Sequence, residues 1–204
     1  MIKGEKINSI SHLVGASLSL VGWILLIIFS SMTRDPWKIV SCTIYGFSLL
    51  FMFLSSTLYH SLRGKAKAIF QIFDHISIYI LIAGTYTPIT LVTLRGKMGW
   101  IIFGLVWGIA IVGTFFKTIW TGRFDRISTA FYLLSGWTIL IDISELIQKF
   151  PQEGFYWIFA GGVLYTFGAF FYLRESLKRN HEIWHFFVLA ASICHFIAIF
   201  FYLI

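Results

Sequence analysis

The chain has 204 residues, of which 58% are hydrophobic and only 12% charged, and its mean hydropathy is +0.82. That balance excludes an ordinary soluble domain and makes lipid the solvent for most of the surface. The 16 Lys+Arg against 9 Asp+Glu do not indicate nucleic acid as a partner, because the basic residues stand singly or in threes between apolar runs, with no basic face or stacking platform.

In chain order the apolar runs cover 10–31, 38–62, 71–94, 99–117, 127–147, 155–173 and 183–203. Each approaches the roughly 20 residues that cross a hydrocarbon layer, so the sequence predicts seven transmembrane helices in an all-α membrane protein. Stretches such as Trp23 to Phe29 are apolar at every position, which excludes the in-out alternation of a membrane barrel. The first run follows a basic start at Lys3 and Lys6. It is too long for a signal h-region and lacks a small-residue cleavage site, so it reads as a retained span. Short polar breaks separate the runs without a linker or repeat, and 1–204 reads as a single transmembrane domain. Pro88, in the string Gly84-Thr85-Tyr86-Thr87-Pro88, predicts a kink in the third span, with neighbouring hydroxyls taking up the freed backbone groups.

Eleven of the sixteen basic residues fall on the side of the N-terminus. The positive-inside rule therefore predicts a cytoplasmic N-terminus and an outer C-terminus in a multi-pass membrane protein. Cys42 and Cys194 lie inside apolar runs and read as packing residues. Trp37, Trp100, Trp120 and Trp157 near the span ends read as an interfacial belt. Glycines at 104–113 and 161–162 read as points of close helix approach, and a homo-oligomer stays open.

Intramembrane ionisable residues are costly in lipid and mark function by default. In this topology Ser56 and His60 end span two near the cytoplasmic face, Asp74 and His75 open span three there, and His181 and His185 open span seven on the same face. His12, at the mouth of span one, is an optional member. Asp142 and Glu145 end span five on the opposite side and cannot join them. His181 and His185 are four apart, so both project from one helix face about 6 Å apart along the axis, the usual helical arrangement for zinc. Three imidazoles suit one zinc ion with a water in the fourth position. Asp74 could hold that water or take its proton, and Ser56 could orient a ligand or stabilise an oxyanion.

The segment His181-Glu182-Ile183-Trp184-His185 also matches the H-E-x-x-H signature, which raises an intramembrane metalloprotease as a rival. After His185 there is no Asp or Glu, and His195 lies about 15 Å further along the helix, too deep to share a metal. Glu182 therefore reads as a first-turn residue facing water.

The set Ser56-x-x-x-His60, then Asp74 through Pro88, then His181-x-x-x-His185 resembles the hemolysin III branch of the progestin and adipoQ receptor family. That resemblance implies seven helices, a cytoplasmic N-terminus, and zinc on His60, His181 and His185, with Asp74 holding the metal's water and Ser56 nearby. It implies kinship with alkaline ceramidases, which are zinc-dependent lipid amidases, and matches Glu5 and His12 to a Glu and a His ahead of the family's first span. The expected function is a zinc-dependent hydrolase of a membrane lipid, with a ceramide-like amide as the candidate substrate. A receptor-like or membrane-homeostasis protein with structural zinc is the alternative. A cytolysin fits less well, because short loops leave no water-soluble form to secrete.

Overall fold

The computed structural model describes residues 4–204, so Lys3 of the basic start lies outside the described residues. Seven helical spans are long and apolar enough to cross a membrane. They are α1 (Lys6–Met32), α2 (Pro36–Ser61), α3 (Gly64–Pro88), α4 (Lys97–Trp120), a divided fifth span, α7 (Gln152–Leu173) and α8 (Asn180–Tyr202). The fifth span comprises α5 (Asp125–Gly136), a 3-10 turn (Thr138–Asp142) and α6 (Ile143–Lys149). Several helices begin three or more residues before their apolar runs, because polar first turns can sit in the headgroup layer while the backbone stays hydrogen-bonded. Asp35 caps α2 by accepting from the Trp37 amide at 2.9 Å, with Pro36 in the first helical position.

α1 packs against α2 and α8, α2 against α3, α3 against α4, and α7 against α8. The third span is the most enclosed, with 72% of its apolar window buried against 22% for the fifth and for α7, so α3 is the central post around which the others stand. Its Pro88 is followed by a π-helical turn, Ile89–Thr93, in which the Leu94 amide donates to the Ile89 carbonyl at 2.9 Å. A proline removes one helical donor, and a wide turn accommodates the mismatch. The carbonyl left without its helical donor is that of Gly84, and the neighbouring hydroxyls do not go to it: Thr87 and Thr90 donate instead to the carbonyls of Ala83 and Tyr86, each at 2.8 Å.

The break in the fifth span departs from the continuous 127–147 run. Its cause is Tyr86 of α3. The Tyr86 hydroxyl donates to the Gly136 carbonyl at 2.7 Å and accepts from the Ile139 amide at 2.8 Å, replacing helical hydrogen bonds just where α5 gives way to the 3-10 turn. Broken helices persist in a membrane where protein satisfies the backbone in this way.

The glycines divide. A Cβ on Gly113 would overlap the Tyr79 ring and one on Gly161 the His195 ring, whereas Gly104 and Gly108 face open space. Of these four, only the first pair serves close approach within the chain. Cys42 and Cys194 are both free and buried. Asp142 and Glu145 lie far from the histidines along the fifth span, and Glu145 pairs with Lys149.

Candidate metal centre and its cavity

His60 ends α2, while His181 and His185 lie in the first two turns of α8, and the three rings meet at one end of the bundle. Their centroids are 5.1 Å apart for His60 and His181, 4.9 Å for His60 and His185, and 4.7 Å for His181 and His185. One ligand nitrogen from each lies within 4.8 Å of the others. A tetrahedral ion with bonds of ~2.1 Å holds its ligand atoms roughly 3.4 Å apart. His60 Nε2 and His181 Nε2 already stand 3.3 Å from each other, so the donor set fits such an ion with a closing of at most about 1.4 Å elsewhere.

The first turns of α1 fix which nitrogen His60 offers. Glu5 Oε2 lies 3.0 Å from His60 Nδ1, and a carboxylate only accepts, so Nδ1 carries the hydrogen and the Nε2 lone pair faces His181. A carboxylate behind a ligand histidine is the usual supporting arrangement in metal sites. Lys67 Nζ donates to both Glu5 oxygens, at 2.7 and 2.8 Å. One turn along α1, Ser9 shares a 2.6 Å hydrogen bond with Ser61. His12 then stacks on His185 at 3.7 Å between centroids, while neither of its ring nitrogens has a partner among the described residues. The face of α1 formed by Glu5, Ser9 and His12 is therefore the back wall of the cluster. Sequence spacing alone carried no signal for this wall, because Glu5 precedes the apolar run and His12 stands as a lone histidine.

Partial burial raises the Glu5 carboxyl's proton affinity, but hydrogen bonds and charge from Lys67 and His60 outweigh that and hold its pKa below the ordinary 4.5. A depressed carboxyl lends stability that is present above its unfolded value and lost as pH falls through its folded value. Glu5→Gln should flatten the acid limb of a stability-against-pH curve measured on metal-free protein. The same change should weaken zinc binding by about 10–100-fold in a competition titration with a chelator, since it removes the carboxylate behind a ligand histidine.

Asp74 opens the wall of a cavity. Its carboxylate is half-buried and has no hydrogen-bond or ion-pair partner among the described residues. The cavity runs between α3, α5, α7 and α8 and has a volume of about 120 Å³. Its rim holds Asp74, His75, His181 and Tyr172, its shaft Ile78, Leu81, Leu133 and Trp184, and its inner end Thr85, Tyr165 and His195. His181 is the one histidine of the cluster on the wall. Ser56 is buried one turn before His60 and does not line the cavity. His75 donates its Nδ1–H to the Gln71 carbonyl at 2.9 Å and is not a member of the three-histidine cluster.

Two residues differ from their sequence reading. Lys117 reads as a topology signal in an inner loop, yet its side chain is 0% exposed and lies 2.8 Å from Asp125 Oδ1, on the rim of the cavity. Glu182 reads as a water-facing residue, yet its side chain is 18% exposed and turns toward Arg179 at 3.8 Å. With Glu182 engaged there and outside the cluster, the H-E-x-x-H reading loses its general base.

Residues 1–196 match the description "Haemolysin-III related". The chain belongs to the haemolysin-III related family. It is 43% identical to Hemolysin-3 of Bacillus cereus over 204 residues, covering 100% of this chain and 93% of the relative. It is also 43% identical to the Hemolysin-3 homolog of Bacillus subtilis (strain 168) over 202 residues, covering 98% and 95%. At greater distance, the human Monocyte to macrophage differentiation factor is 26% identical over 179 residues, covering 84% of this chain and 74% of that protein. Seven spans and Bacillus relatives make this haemolysin-III protein a multi-pass protein of a bacterial cell membrane. Its buried histidine cluster could hold a metal ion.

Proposed function

We propose that this protein is a zinc-dependent hydrolase of a membrane lipid, with a ceramide-like amide as its substrate class. One observation carries the reading: a cluster of three imidazoles presents one of them, His181, at the polar rim of a cavity with an apolar shaft, where a free carboxylate, Asp74, also stands. When bound to His60, His181 and His185, zinc supplies Lewis acidity and makes a neighbouring water acidic, with a pKa near ~7.

The remaining work belongs to the chain. The apolar shaft receives the acyl chain and brings the scissile carbonyl to the rim, excluding bulk water on that side. The Asp74 carboxylate accepts the proton of the attacking water and returns it to the departing amine. Ser56, one turn from His60, is buried and off the cavity wall, so it packs behind the His60 ring and does not meet the carbonyl. Glu5 holds the His60 ring in place through Nδ1. With the N-terminus cytoplasmic, the rim lies in the inner headgroup layer, where a lipid enters sideways and water arrives from the cytoplasm.

The test is release of fatty acid from a ceramide presented in mixed micelles to purified protein. Wild type should turn over, and Asp74→Asn should lose about 10²–10⁴-fold in rate, the share of a positioned base, while keeping its zinc. Turnover unchanged in Asp74→Asn would sink the mechanism. A second reading, structural zinc in a receptor-like or membrane-homeostasis protein, draws on the depth of the cluster, where His60 and His185 are 3% and 2% exposed. It expects zinc loss to lower stability with no lipid turned over in any variant.

A further inference from the structure

His195 lies ten residues beyond His185 on α8, about 15 Å deeper in the bundle at the helical rise. It stands at the inner end of the cavity and takes no part in the metal cluster. The fold makes room for it, because any Cβ on Gly161 would overlap the ring atoms Cδ2 and Nε2. His195 Nε2 lies 3.1 Å from the Ile158 carbonyl, and a carbonyl only accepts, so Nε2 carries the hydrogen. In the uncharged ring Nδ1 is then a lone-pair acceptor. No donor among the described residues reaches it.

The polar groups around it do not supply that donor in this arrangement. Thr85 Oγ1 gives its hydrogen to the Leu81 carbonyl at 2.8 Å, and Thr166 Oγ1 gives its own to the Gly162 carbonyl at 2.8 Å. The Tyr86 hydroxyl hydrogen goes to the Gly136 carbonyl, and Tyr165 shares a 2.8 Å hydrogen bond with Ser192 in which either oxygen can donate, with no hydrogen bond to His195 among the described residues. The inner end of an apolar shaft thus presents acceptors and asks for a hydrogen-bond donor. An ammonium group at this depth would be costly in lipid. An alcohol is a neutral donor that an acyl chain can carry.

We propose that His195 forms a second recognition site, which takes a hydroxyl group on the lipid chain roughly twelve methylenes from the scissile carbonyl, counting ~1.5 Å C–C bonds in an extended zigzag over the 15 Å depth. The proposal rests on the lipid reading of the cavity given above. His195 here sets specificity and touches neither the metal ligands nor Asp74.

The experiment titrates zinc-loaded protein with octadecanoic acid and with the same acid hydroxylated roughly twelve carbons from its carboxyl. Binding is followed by tryptophan fluorescence, since Trp137 and Trp184 line the cavity. Wild type should bind the hydroxylated acid roughly five- to tenfold more tightly, the worth of one hydrogen bond made in place of one lost. His195→Leu should erase that preference at unchanged zinc content, and His195→Phe gives the same test if the leucine variant does not fold. His195→Gln, which keeps a donor for Ile158 and an acceptor for the cavity, should retain part of it. Equal binding of the two acids by wild type, or a preference that survives His195→Leu, overturns the proposal and leaves the cavity's lipid reading standing. Binding of neither acid overturns both.

Discussion

Detergent-purified wild type should carry close to one zinc per chain, and His185→Ala should carry almost none after brief exposure to a chelator. The expectation follows from the geometry of the cluster. His60 and His181 already hold their Nε2 atoms 3.3 Å apart, near the separation that two ligands of one tetrahedral zinc require, roughly 3.4 Å. Two imidazoles alone bind weakly, and the third closes a chelate whose supports are in place before the metal arrives. Because structural and catalytic metal sites both add binding energy to folding, the wild type should also lose thermal stability when stripped, and His185→Ala should show no such response. Asp74→Asn is the control, since its carboxylate stands on the cavity wall and outside the set of three ligands. Metal content that is absent in carefully prepared wild type, or that survives His185→Ala, would remove the metal from any account of this protein.

How much of this was legible in the sequence depends on how local each signal is. The three histidines could be read because each interrupts an apolar run at a span end, and because spacing of four on a helix fixes a shared face. The topology then delivered distant segments to one layer. Lys117 shows the converse. A lysine followed by polar residues looks like a loop marker, and only the turn that brings Asp125 back over it reveals a buried pair. Tyr86 shows it again, because a hydroxyl fifty residues away in sequence from Gly136 decides where the fifth span breaks. The cavity was invisible for the same reason, being assembled from side chains on several helices with no common spacing. Glu5 and His12 fall between these cases, since they were matched by family resemblance and acquired a role only when α1 was seen to back the cluster.

The Lys117–Asp125 pair gives the largest expected stability effect outside the histidines. Lys117 has no exposed side-chain surface, and among the described residues its Nζ meets, besides Asp125, only the Arg123 carbonyl, at 3.2 Å. Asp125→Asn leaves that ammonium buried without a counter-charge, a change that costs about 3–5 kcal/mol in buried pairs. Asp125 is 38% exposed, so water screens part of the loss and the lower end, about 3 kcal/mol, is expected. Unfolding followed by denaturant in lipid micelles measures it. Replacing both partners by apolar residues, Lys117→Met with Asp125→Leu, should recover most of the loss, because no charge is then left unpaired. A double variant as unstable as Asp125→Asn would show that α4 and α5 need the pair for geometry and not for charge balance. The double variant also separates stability from chemistry. The pair lies on the same rim as Asp74, so a well-folded, zinc-loaded double variant that has lost lipid turnover would place Lys117 at the substrate's headgroup, and one that retains turnover would confine the pair to holding the rim together.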